Sequence, residues 1–400
     1  MKSVISYTLS HCVKCLKCLR ICPTEAITIV HERVQIDSHK CINCGHCIEV
    51  CNTQGLQGKG STLIDINNYD KTVALLPSAL LSCCGSLKEA ARLVEAIGQT
   101  GFDEVVQMSE VEGALLERTA KIVRAAQDRP LISSFCPVVN RLIRLKFPML
   151  LERVVDLDYP AEIAARRIRQ QYGGKGRIGI FYFCECVSKL QLARYPYGNE
   201  GSEIDHAVSI SDQFPLINRL RQNDARTLSL CAKGLAAAAP HTGALEGLQV
   251  LEADGRDQVM QVLELAEFGL LNRFDYLSLS FCTNGCIGGQ LLWGNPFEAR
   301  LNLNQLLQQA HSQPCTLNDL NLSRPAEPPD ADLLTMREKL RLFARINEVM
   351  EKLPHYDCGA CGFASCRNMA ENIALGKRKW SDCRIIGGTG GKEDDGQRTD

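Results

Sequence analysis

Cysteine is the residue type in this sequence whose side chains could do chemistry, because of their number and spacing. The chain has 400 residues, of which 21 are cysteine, and most of these fall into three sets. Thiolates bind soft metals and iron–sulfur clusters. The first residues, Met1–His11, show no pattern of an export signal. We therefore expect metal ligation in the reducing cytoplasm rather than a disulfide framework.

The first set repeats one spacing twice, with two, two and three intervening residues, at an offset of 29 residues. Three thiolates of each copy can reach one cluster, and the fourth must come from the other copy. Eight thiolates in interlocking loops exceed what two zinc sites need, which disfavours zinc. We therefore expect two [4Fe–4S] clusters, one held by Cys12, Cys15, Cys18 and Cys51, the other by Cys22, Cys41, Cys44 and Cys47.

Between the two copies, Ala26–Val30 and Val34–Asp37 alternate in a way that predicts a short hairpin. With the paired cysteine loops, this segment resembles the bacterial two-cluster ferredoxins. The resemblance implies a ferredoxin-like α+β domain over residues 1–65.

Apolar, strand-like runs in residues 70–310 end in cysteines and alternate with amphipathic helices. Pro130–Phe135, Ile178–Phe183 and Tyr276–Phe281 are three such runs. Helix starts are marked by predicted capping boxes at Ser86 and Ser109. The alternation predicts an α/β domain with parallel sheets, in which sites gather at the carboxyl ends of the strands. We expect four thiolates to meet there around one buried cluster, those of Cys136, Cys186, Cys282 and Cys286.

These motifs resemble the catalytic domain of the [FeFe]-hydrogenases. The similar segments are Ser133–Val139, Glu185–Lys189 and Ser280–Cys286, the last followed by two glycines. The resemblance implies that the four cysteines hold the cubane of an H-cluster and that Cys286 also bridges to its di-iron unit. It further implies that Lys189 donates to an iron-bound cyanide, a charge-assisted hydrogen bond. Cys286 and Lys189 are therefore the catalytic candidates, and H₂ and protons the expected substrates.

Departures from the family pattern concern proton delivery. Phe135 stands where catalytic members place a proton-carrying cysteine, and Ser278 where the next relay carboxylate would be. Glu185 replaces a proline. Because general acid–base catalysis contributes about 10²–10⁴ in rate, we expect an oxygen-sensitive hydrogenase-type oxidoreductase of anaerobic metabolism with slow turnover, or a sensor.

A different class of function is a non-catalytic electron carrier or cluster-assembly factor. Narf-type relatives keep the fold and a cubane but have no di-iron unit. Retention of Cys286 and Lys189 favours the enzyme-like interpretation, because a cubane alone does not use a lysine that faces cyanide. A signalling module is a third alternative.

Cys83 and Cys84 are an alternative source of ligands for the central cluster, although they resemble small buried hydrophobic residues more closely. Packed structural thiols are predicted for Cys184, Cys231 and Cys315.

The third set of cysteines has two, four and sixteen intervening residues. It resembles the small [4Fe–4S] module of corrinoid iron–sulfur proteins, of a membrane electron-transfer subunit family and of some hydrogenase-like proteins. Zinc is the alternative. The resemblance implies a small helical module over residues 336–386, after a linker at 311–335 and before a disordered tail at 387–400. The expected ligands are Cys358, Cys361, Cys366 and Cys383.

The charge of the chain is balanced, with 45 Lys and Arg against 46 Asp and Glu. This balance gives no case for a nucleic-acid or membrane-surface partner, and no apolar run reaches the roughly 18 residues of a membrane span. Four [4Fe–4S] clusters with thiolate ligands would add roughly −8 to the charge. The partner expected for such a chain is a redox protein, either a ferredoxin or an oxidoreductase subunit.

Overall fold

The computed structural model describes residues 3–174, 176–194, 201–221, 228–239, 245–311, 316–317, 320–324 and 336–387. Cys315, most of the predicted linker and all but the first residue of the predicted tail lie outside these residues. Of the linker, Leu322 accepts a hydrogen bond from the Asp158 amide at 2.8 Å, and Arg324 donates to the Ser134 carbonyl at 3.2 Å. None of the helices in the described residues is long and apolar enough to cross a lipid bilayer.

The N-terminal segment contains two small antiparallel sheets. The predicted hairpin is present, and its two-residue turn has positive φ at His31 and Glu32, as its twist requires. The second sheet pairs the two ends of the segment, because β1 lies against β4. The elements are β1 (Ile5–Tyr7), α1 (Lys17–Ile21), β2 (Ile27–Val30), β3 (Arg33–Ile36), α2 (His46–Glu49) and β4 (Leu56–Gly58).

The central segment is a mixed α/β structure whose strands are parallel, with helices between them. It contains two separate sheets. The first half of its elements is β5 (Lys71–Leu76), α3 (Ser78–Leu81), α4 (Leu87–Gly98), β6 (Glu104–Gln107), α5 (Ser109–Ala125), β7 (Leu131–Ile132), α6 (Pro137–Lys146) and α7 (Pro160–Tyr172). The second half is β8 (Ile178–Cys184), α8 (Val187–Arg194), β9 (His206–Ser209), α9 (Ile210–Leu220), α10 (Ala232–Ala237), β10 (Val250–Asp254), α11 (Arg256–Glu267), β11 (Tyr276–Ser280) and α12 (Pro296–Leu307).

The four-stranded sheet has the order β6-β5-β8-β9, and the three-stranded sheet has the order β10-β11-β7. Every residue of β8 is buried, as expected for a parallel strand covered on both faces. The strand predicted over Pro130–Phe135 is much shorter, because the chain leaves the ladder after Ser133. The carbonyl of Ser134 then accepts a hydrogen bond from the Asn140 side chain at 2.8 Å.

The two predicted capping boxes differ in outcome. Ser86 caps α4 and accepts a hydrogen bond from the Glu89 amide at 3.3 Å. The helix α5 begins at Ser109 itself, one residue earlier than predicted, and the Ser109 hydroxyl accepts instead from the Cys231 amide at 3.2 Å. A long-range contact has replaced the local one, which a sequence pattern cannot show.

The C-terminal segment is a pair of helices, α13 (Met336–Glu351) and α14 (Cys366–Ala374), joined by the loop that carries Cys358 and Cys361. Ser365 caps α14 by accepting from the Asn368 amide at 3.0 Å. A small core of its own, with Val349, Phe363 and Met369, holds the pair together.

Candidate iron–sulfur centres

Two cavities in the N-terminal segment are lined by the two interlocked sets of cysteines. One, of about 410 Å³, has Cys12, Cys15, Cys18 and Cys51 in its wall. The other, of about 330 Å³, has Cys22, Cys41, Cys44 and Cys47 in its wall. In each cavity three thiols come from one loop and the fourth comes from the other copy, the arrangement that the spacing predicts.

Backbone amides point at the sulfurs of these loops. The amide four residues after the last cysteine of each copy donates to it, Ala26 to Cys22 at 3.3 Å and Gly55 to Cys51 at 3.2 Å. The same contact in both copies extends the sequence repeat to the hydrogen bonds. Amide donors stabilise a thiolate and the clusters it binds.

Four thiols from three chain segments meet in the central segment. Burial raises the pKa of Cys282 well above its ordinary value, and Cys186, Cys136 and Cys286 raise it further. The pKa of Cys286 rises to about 12, chiefly through burial. Buried thiols this close together ionise only when a cation compensates their charge, which is what an iron–sulfur cluster supplies.

Secondary structure aims these thiols at one another. Cys136 is the N-cap of α6, with Pro137 in its first turn, and Cys186 directly precedes α8. Cys282 follows β11 and Cys286 lies in a 3₁₀ turn, Gly285–Gly288. Among the described residues no group of three or more His, Cys, Asp or Glu side chains could hold a single metal ion. A cubane spaces its thiolates more widely, because each thiolate binds a different iron.

A cavity of about 310 Å³ lies beside Cys286. Its wall contains both catalytic candidates, Cys286 and Lys189, together with Phe135, Glu112 and Glu185. Lys189 Nζ lies 3.7 Å from the Cys286 sulfur. The phenyl ring of Phe135 lines the same cavity as Cys286 and Lys189, and a phenyl ring cannot carry a proton.

The ammonium of Lys189 is held by a buried carboxylate. Lys189 Nζ donates to Glu185 Oε1, and the Tyr182 hydroxyl donates to Glu185 Oε2 at 3.0 Å. Burial alone would lower the pKa of Lys189, but Cys286 and Glu185 outweigh it and raise the pKa. The lysine is thus a fixed cation that faces the cavity.

Glu112 is a site residue that the sequence did not single out. It is buried on α5, and its Oε2 atom accepts no hydrogen bond within the described residues. Burial raises its pKa from 4.5 to about 7. In the sequence, the only signal for Glu112 is an acidic residue at a helix position that faces the core. Helix periodicity alone does not say what a carboxylate does at such a position.

We expect Glu112→Gln to change how stability depends on pH. In the unfolded chain Glu112 ionises near pH 4.5, whereas in the fold it stays protonated to about pH 7. Ionisation therefore favours unfolding across this window, and stability falls as pH rises through it. Relative to the variant, the unsubstituted protein should lose about 3 kcal/mol between pH 4.5 and 8. Denaturant unfolding of both proteins measures this, and parallel pH profiles would contradict it.

The glycines that trail the third motif fix it against the second. A Cβ atom on Gly288 would collide with the Thr283 carbonyl, and one on Gly289 would collide with the Glu185 carbonyl. The Glu185 carbonyl also accepts from the Leu291 amide at 3.0 Å. Close backbone approach at Gly289 thus holds the loop of Cys286 beside that of Cys186, while Gly288 lets the loop of Cys286 fold onto its own Thr283.

Gly289→Ala is accordingly expected to destabilise the protein by about 2 kcal/mol and to reduce central cluster occupancy. The measurement is iron content per chain together with thermal unfolding. Gly201→Ala is the matched control, because Gly201 is exposed and has no atom within 4 Å of an added Cβ. Equal behaviour of the two variants would argue against this role of Gly289.

The four cysteines of the third set line one cavity of about 310 Å³: Cys358, Cys361, Cys366 and Cys383. The amide of Cys366 donates to Asp357 at 2.6 Å, which fixes the loop to the start of α14. Gly359 and Gly362 have positive φ at 75° and 86°. These glycines let the backbone turn tightly around the cavity.

The cavity of Cys22, Cys41, Cys44 and Cys47 adjoins the central thiols. His46, next to Cys47 in the chain, stacks on Phe281, next to Cys282, with 5.4 Å between ring centroids. Gln290 Nε2 donates to the Cys282 sulfur at 3.2 Å, and its side chain packs on Gly45. Arg141 of α6 donates to the Cys41 carbonyl at 2.8 Å.

The C-terminal module also packs on the N-terminal segment. The Ile29 amide extends β2 by donating to the Gly362 carbonyl at 2.8 Å. Lys40 and Glu371 form an ion pair at 2.9 Å, and Asn368 donates to the Glu25 carbonyl at 3.2 Å. The N-terminal segment is therefore in contact with both the central segment and the C-terminal module.

The remaining described cysteines behave as packed thiols. Cys84, in the core that follows α3, accepts a hydrogen bond from Arg221 at 3.2 Å. Cys184 and Cys231 are fully buried. Cys83 lies beside Gly294, and neither Cys83 nor Cys84 is among the thiols that shift the pKa of Cys282.

Three family models match this sequence. A family of 4Fe-4S dicluster domains matches residues 4–52, and the C-terminal domain of the iron-only hydrogenase large subunit matches residues 82–226. A family of candidate Fe-S cluster domains matches residues 353–385. The chain is similar to the [FeFe]-hydrogenases. The hydrogenase match includes Cys136 and Cys186 and ends before Cys282 and Cys286.

A comparison with curated proteins found no significant match. Among solved structures, an [FeFe]-hydrogenase from Chlamydomonas reinhardtii matches at 14% identity and a TM-score of 0.45, over 63% of this chain and 88% of that one. A structure concerned with stepwise H-cluster assembly in an [FeFe]-hydrogenase matches at 14% identity and a TM-score of 0.44, over 61% and 86%. TM-scores below 0.5 do not establish a shared fold.

Proposed function

We propose that this protein is an [FeFe]-hydrogenase-type iron–sulfur protein that couples electron transfer to slow H₂ and proton chemistry. In this proposal four [4Fe–4S] clusters are bound, two in the N-terminal segment, one in the central segment and one in the C-terminal module. A di-iron unit would be attached at Cys286. The observation that carries the proposal is the cavity that joins Cys286 to the fixed cation Lys189.

The residues around this cavity fit an anionic inorganic group. Lys189 supplies hydrogen-bond donors at one wall, and the Cys286 sulfur faces the same space. Ala79, Ala237 and Ala238 form a small apolar part of the wall, and the carboxylates of Glu112 and Glu185 belong to the same wall. When bound, a di-iron unit would supply the redox chemistry of hydrogen. Cys286 would hold it, and Lys189 would orient its cyanide ligands.

Proton delivery is the step that this chain supports poorly. Phe135 lies in the cavity wall and offers no exchangeable proton. Glu112 and Glu185 are the carboxylates that share the cavity, and Glu185 is already held by Lys189 and Tyr182. The loss of the relay cysteine is therefore expected to leave turnover about 10²–10⁴-fold below that of a fast enzyme.

The arrangement of the cavities supports a linear order of electron transfer. The cluster site with Cys22, Cys41, Cys44 and Cys47 adjoins the central thiols through His46 and Phe281. The C-terminal site adjoins the loop of Cys15 and Cys18, where Gly359 packs on Leu16 and Leu19. Electrons would pass between the C-terminal module and the central site through the N-terminal clusters.

Infrared spectroscopy tests this proposal on protein produced together with the hydrogenase maturation proteins. We expect bands of iron-bound CO and cyanide, and their loss in Cys286→Ala. A spectrum without such bands, from protein whose four cubanes are intact, would overturn the di-iron site.

The second candidate is a non-catalytic electron carrier or cluster-assembly factor. It is favoured by one observation, the pairing of Lys189 with Glu185, which satisfies the ammonium without any cyanide. In that case neither the unsubstituted protein nor Lys189→Met would show CO or cyanide bands, and the two would have the same cluster content. In the hydrogenase-type case the same variant would lose the CO and cyanide bands.

A further inference from the structure

Gln290 follows the glycines that trail the third motif, and its side chain reaches two of the candidate cluster sites. Its Nε2 atom donates to the Cys282 sulfur at 3.2 Å. A Cβ atom added to Gly45 would lie 2.7 Å from Gln290 Oε1, so the amide packs directly on the backbone between Cys44 and His46. One neutral side chain therefore touches a thiol of the central site and the cysteine loop of an N-terminal site.

The backbone on both sides of Gln290 is fixed to the second motif. A Cβ atom on Gly289 would collide with the Glu185 carbonyl, and the Leu291 amide donates to that same carbonyl at 3.0 Å. Both neighbours of Gln290 thus contact one carbonyl group. This anchoring leaves the side chain of Gln290 little freedom to move away from Cys282.

The Gln290 amide has one hydrogen bond, and its donor makes it. The Oε1 atom is buried and has no hydrogen-bond partner within the described residues. A sulfur that is bound to iron only accepts hydrogen bonds, so the donor Nε2 must face Cys282 once a cluster is present. A buried oxygen without a partner destabilises the fold, and an apolar side chain of the same length would pack here more favourably. The contact with the sulfur therefore explains an amide at this position.

This hydrogen bond favours negative charge on the Cys282 sulfur. Burial raises the pKa of Cys282, and the hydrogen bond from Gln290 acts in the opposite direction because it stabilises the thiolate. A [4Fe–4S] cluster with four thiolate ligands carries about −2 when oxidised and about −3 when reduced. A donor to one of its sulfurs stabilises the reduced form more than the oxidised form, which raises the reduction potential.

We propose that Gln290 raises the reduction potential of the central cluster through its hydrogen bond to Cys282, and that Gly45 holds the amide in place. The inference rests on the proposed function for the presence of a cubane at the four central thiols. One electron would leave the N-terminal cluster beside Gly45, which is oxidised, and reduce the central cluster. The hydrogen bond from Gln290 makes this direction of transfer more favourable.

The test compares midpoint potentials in anaerobically purified holoprotein that is produced without the hydrogenase maturation proteins. Gln290→Met keeps the length of the side chain and removes the donor. Gln305→Met is the matched control, because Gln305 is exposed on α12. The potentials are measured by reductive titration followed by paramagnetic resonance. The signal that is missing from Cys282→Ala identifies the central cluster.

We expect Gln290→Met to lower the ratio of reduced to oxidised central cluster about tenfold at a fixed applied potential, which corresponds to a midpoint lower by about 59 mV. Gln305→Met should change this ratio by less than about twofold, and the other clusters should keep their potentials. Double-resonance spectra in D₂O should lose the coupling of an exchangeable deuteron near the central cluster in Gln290→Met alone. That loss separates removal of a donor from a change of local polarity.

Gly45→Ala tests the same contact from the N-terminal side. The added Cβ atom would displace the Gln290 amide, so the central potential should fall by a similar amount. Gly45→Ala combined with Gln290→Met should fall no further than Gln290→Met alone, because Gly45 acts through Gln290. Additive effects would overturn the role of Gly45. Iron content and thermal unfolding report separately any strain from alanine at a φ of 79°.

An unchanged central potential in Gln290→Met, at full iron content, would overturn the proposal and leave the proposed function intact. If Cys282→Ala loses no signal, the central cubane and the role of Gln290 fall together. Infrared spectra without CO and cyanide bands would overturn the di-iron site alone, since the titration uses protein that contains only cubanes.

Discussion

Replacing Cys282 by alanine is expected to remove the central cluster and leave the other three in place. Burial raises the pKa of Cys282, and the neighbouring thiols of Cys186, Cys136 and Cys286 raise it further. Without its sulfur one iron of the cubane has no protein ligand, and three buried thiols must then stay protonated. In protein produced without the hydrogenase maturation proteins, iron content should fall from roughly 16 to roughly 12 atoms per chain.

Cys184→Ala is the matched control for this variant. Cys184 is fully buried and lies two residues from Cys186, but its thiol donates to the Tyr182 carbonyl at 3.5 Å, and Cys184 is not among the thiols that shift the pKa of Cys282. Its iron content should equal that of the unsubstituted protein. Paramagnetic resonance of the reduced protein should show one fewer cluster in Cys282→Ala alone. Full iron content in that variant would exclude Cys282 as a ligand.

The N-terminal sites could be anticipated in most detail, because their information is local. A repeat of two, two and three residues determines which thiols share a loop, and chain reversal between the copies gives the exchange of Cys22 and Cys51. Both cavities in the structure have the expected thiols in their walls. Whether these cavities hold [4Fe–4S] clusters remains a prediction for iron analysis.

For the central thiols, the sequence predicts only that the four lie close together. The apolar runs before Cys136, Cys186 and Cys282 indicate strands that end at one place. They do not indicate that β8 lies in one sheet while β7 and β11 lie in another. Nor does local pattern show the Lys189–Glu185 pair, the buried carboxylate of Glu112 or the stacking of His46 on Phe281. These contacts join residues that are distant along the chain, or depend on which helix face is buried.

The charge distribution shows the same limit. The sequence contains the basic run Lys377–Lys379, which composition alone interprets as a solvated helix end. Only the fold shows that Glu371 pairs with Lys40 of the N-terminal segment and that Arg384 lines the cavity of the third set of cysteines. The number of charged residues in a segment does not define a charged surface, because the packing of the segments decides which side chains face solvent.

Replacing Phe135 by cysteine should raise hydrogen turnover of the fully matured protein by about 10²-fold. A thiol at this position would lie in the same cavity as Cys286, Lys189 and Glu112. Glu112, whose pKa is about 7, could exchange protons with it near neutral pH, where an efficient acid–base group should titrate. The measurement is H₂ production with a chemical reductant, normalised to the intensity of the CO and cyanide bands.

Phe135→Ala separates proton transfer from access. It opens the same space without adding a proton carrier, so it should leave turnover within a few-fold of the unsubstituted protein while Phe135→Cys accelerates it. The double variant Phe135→Cys with Glu112→Gln should lose most of the gain, because the thiol then lacks a neighbour that takes up its proton. If alanine and cysteine accelerate turnover equally, space around the site limits the rate. If neither accelerates it in protein with intact infrared bands, proton delivery past Phe135 is not the slow step.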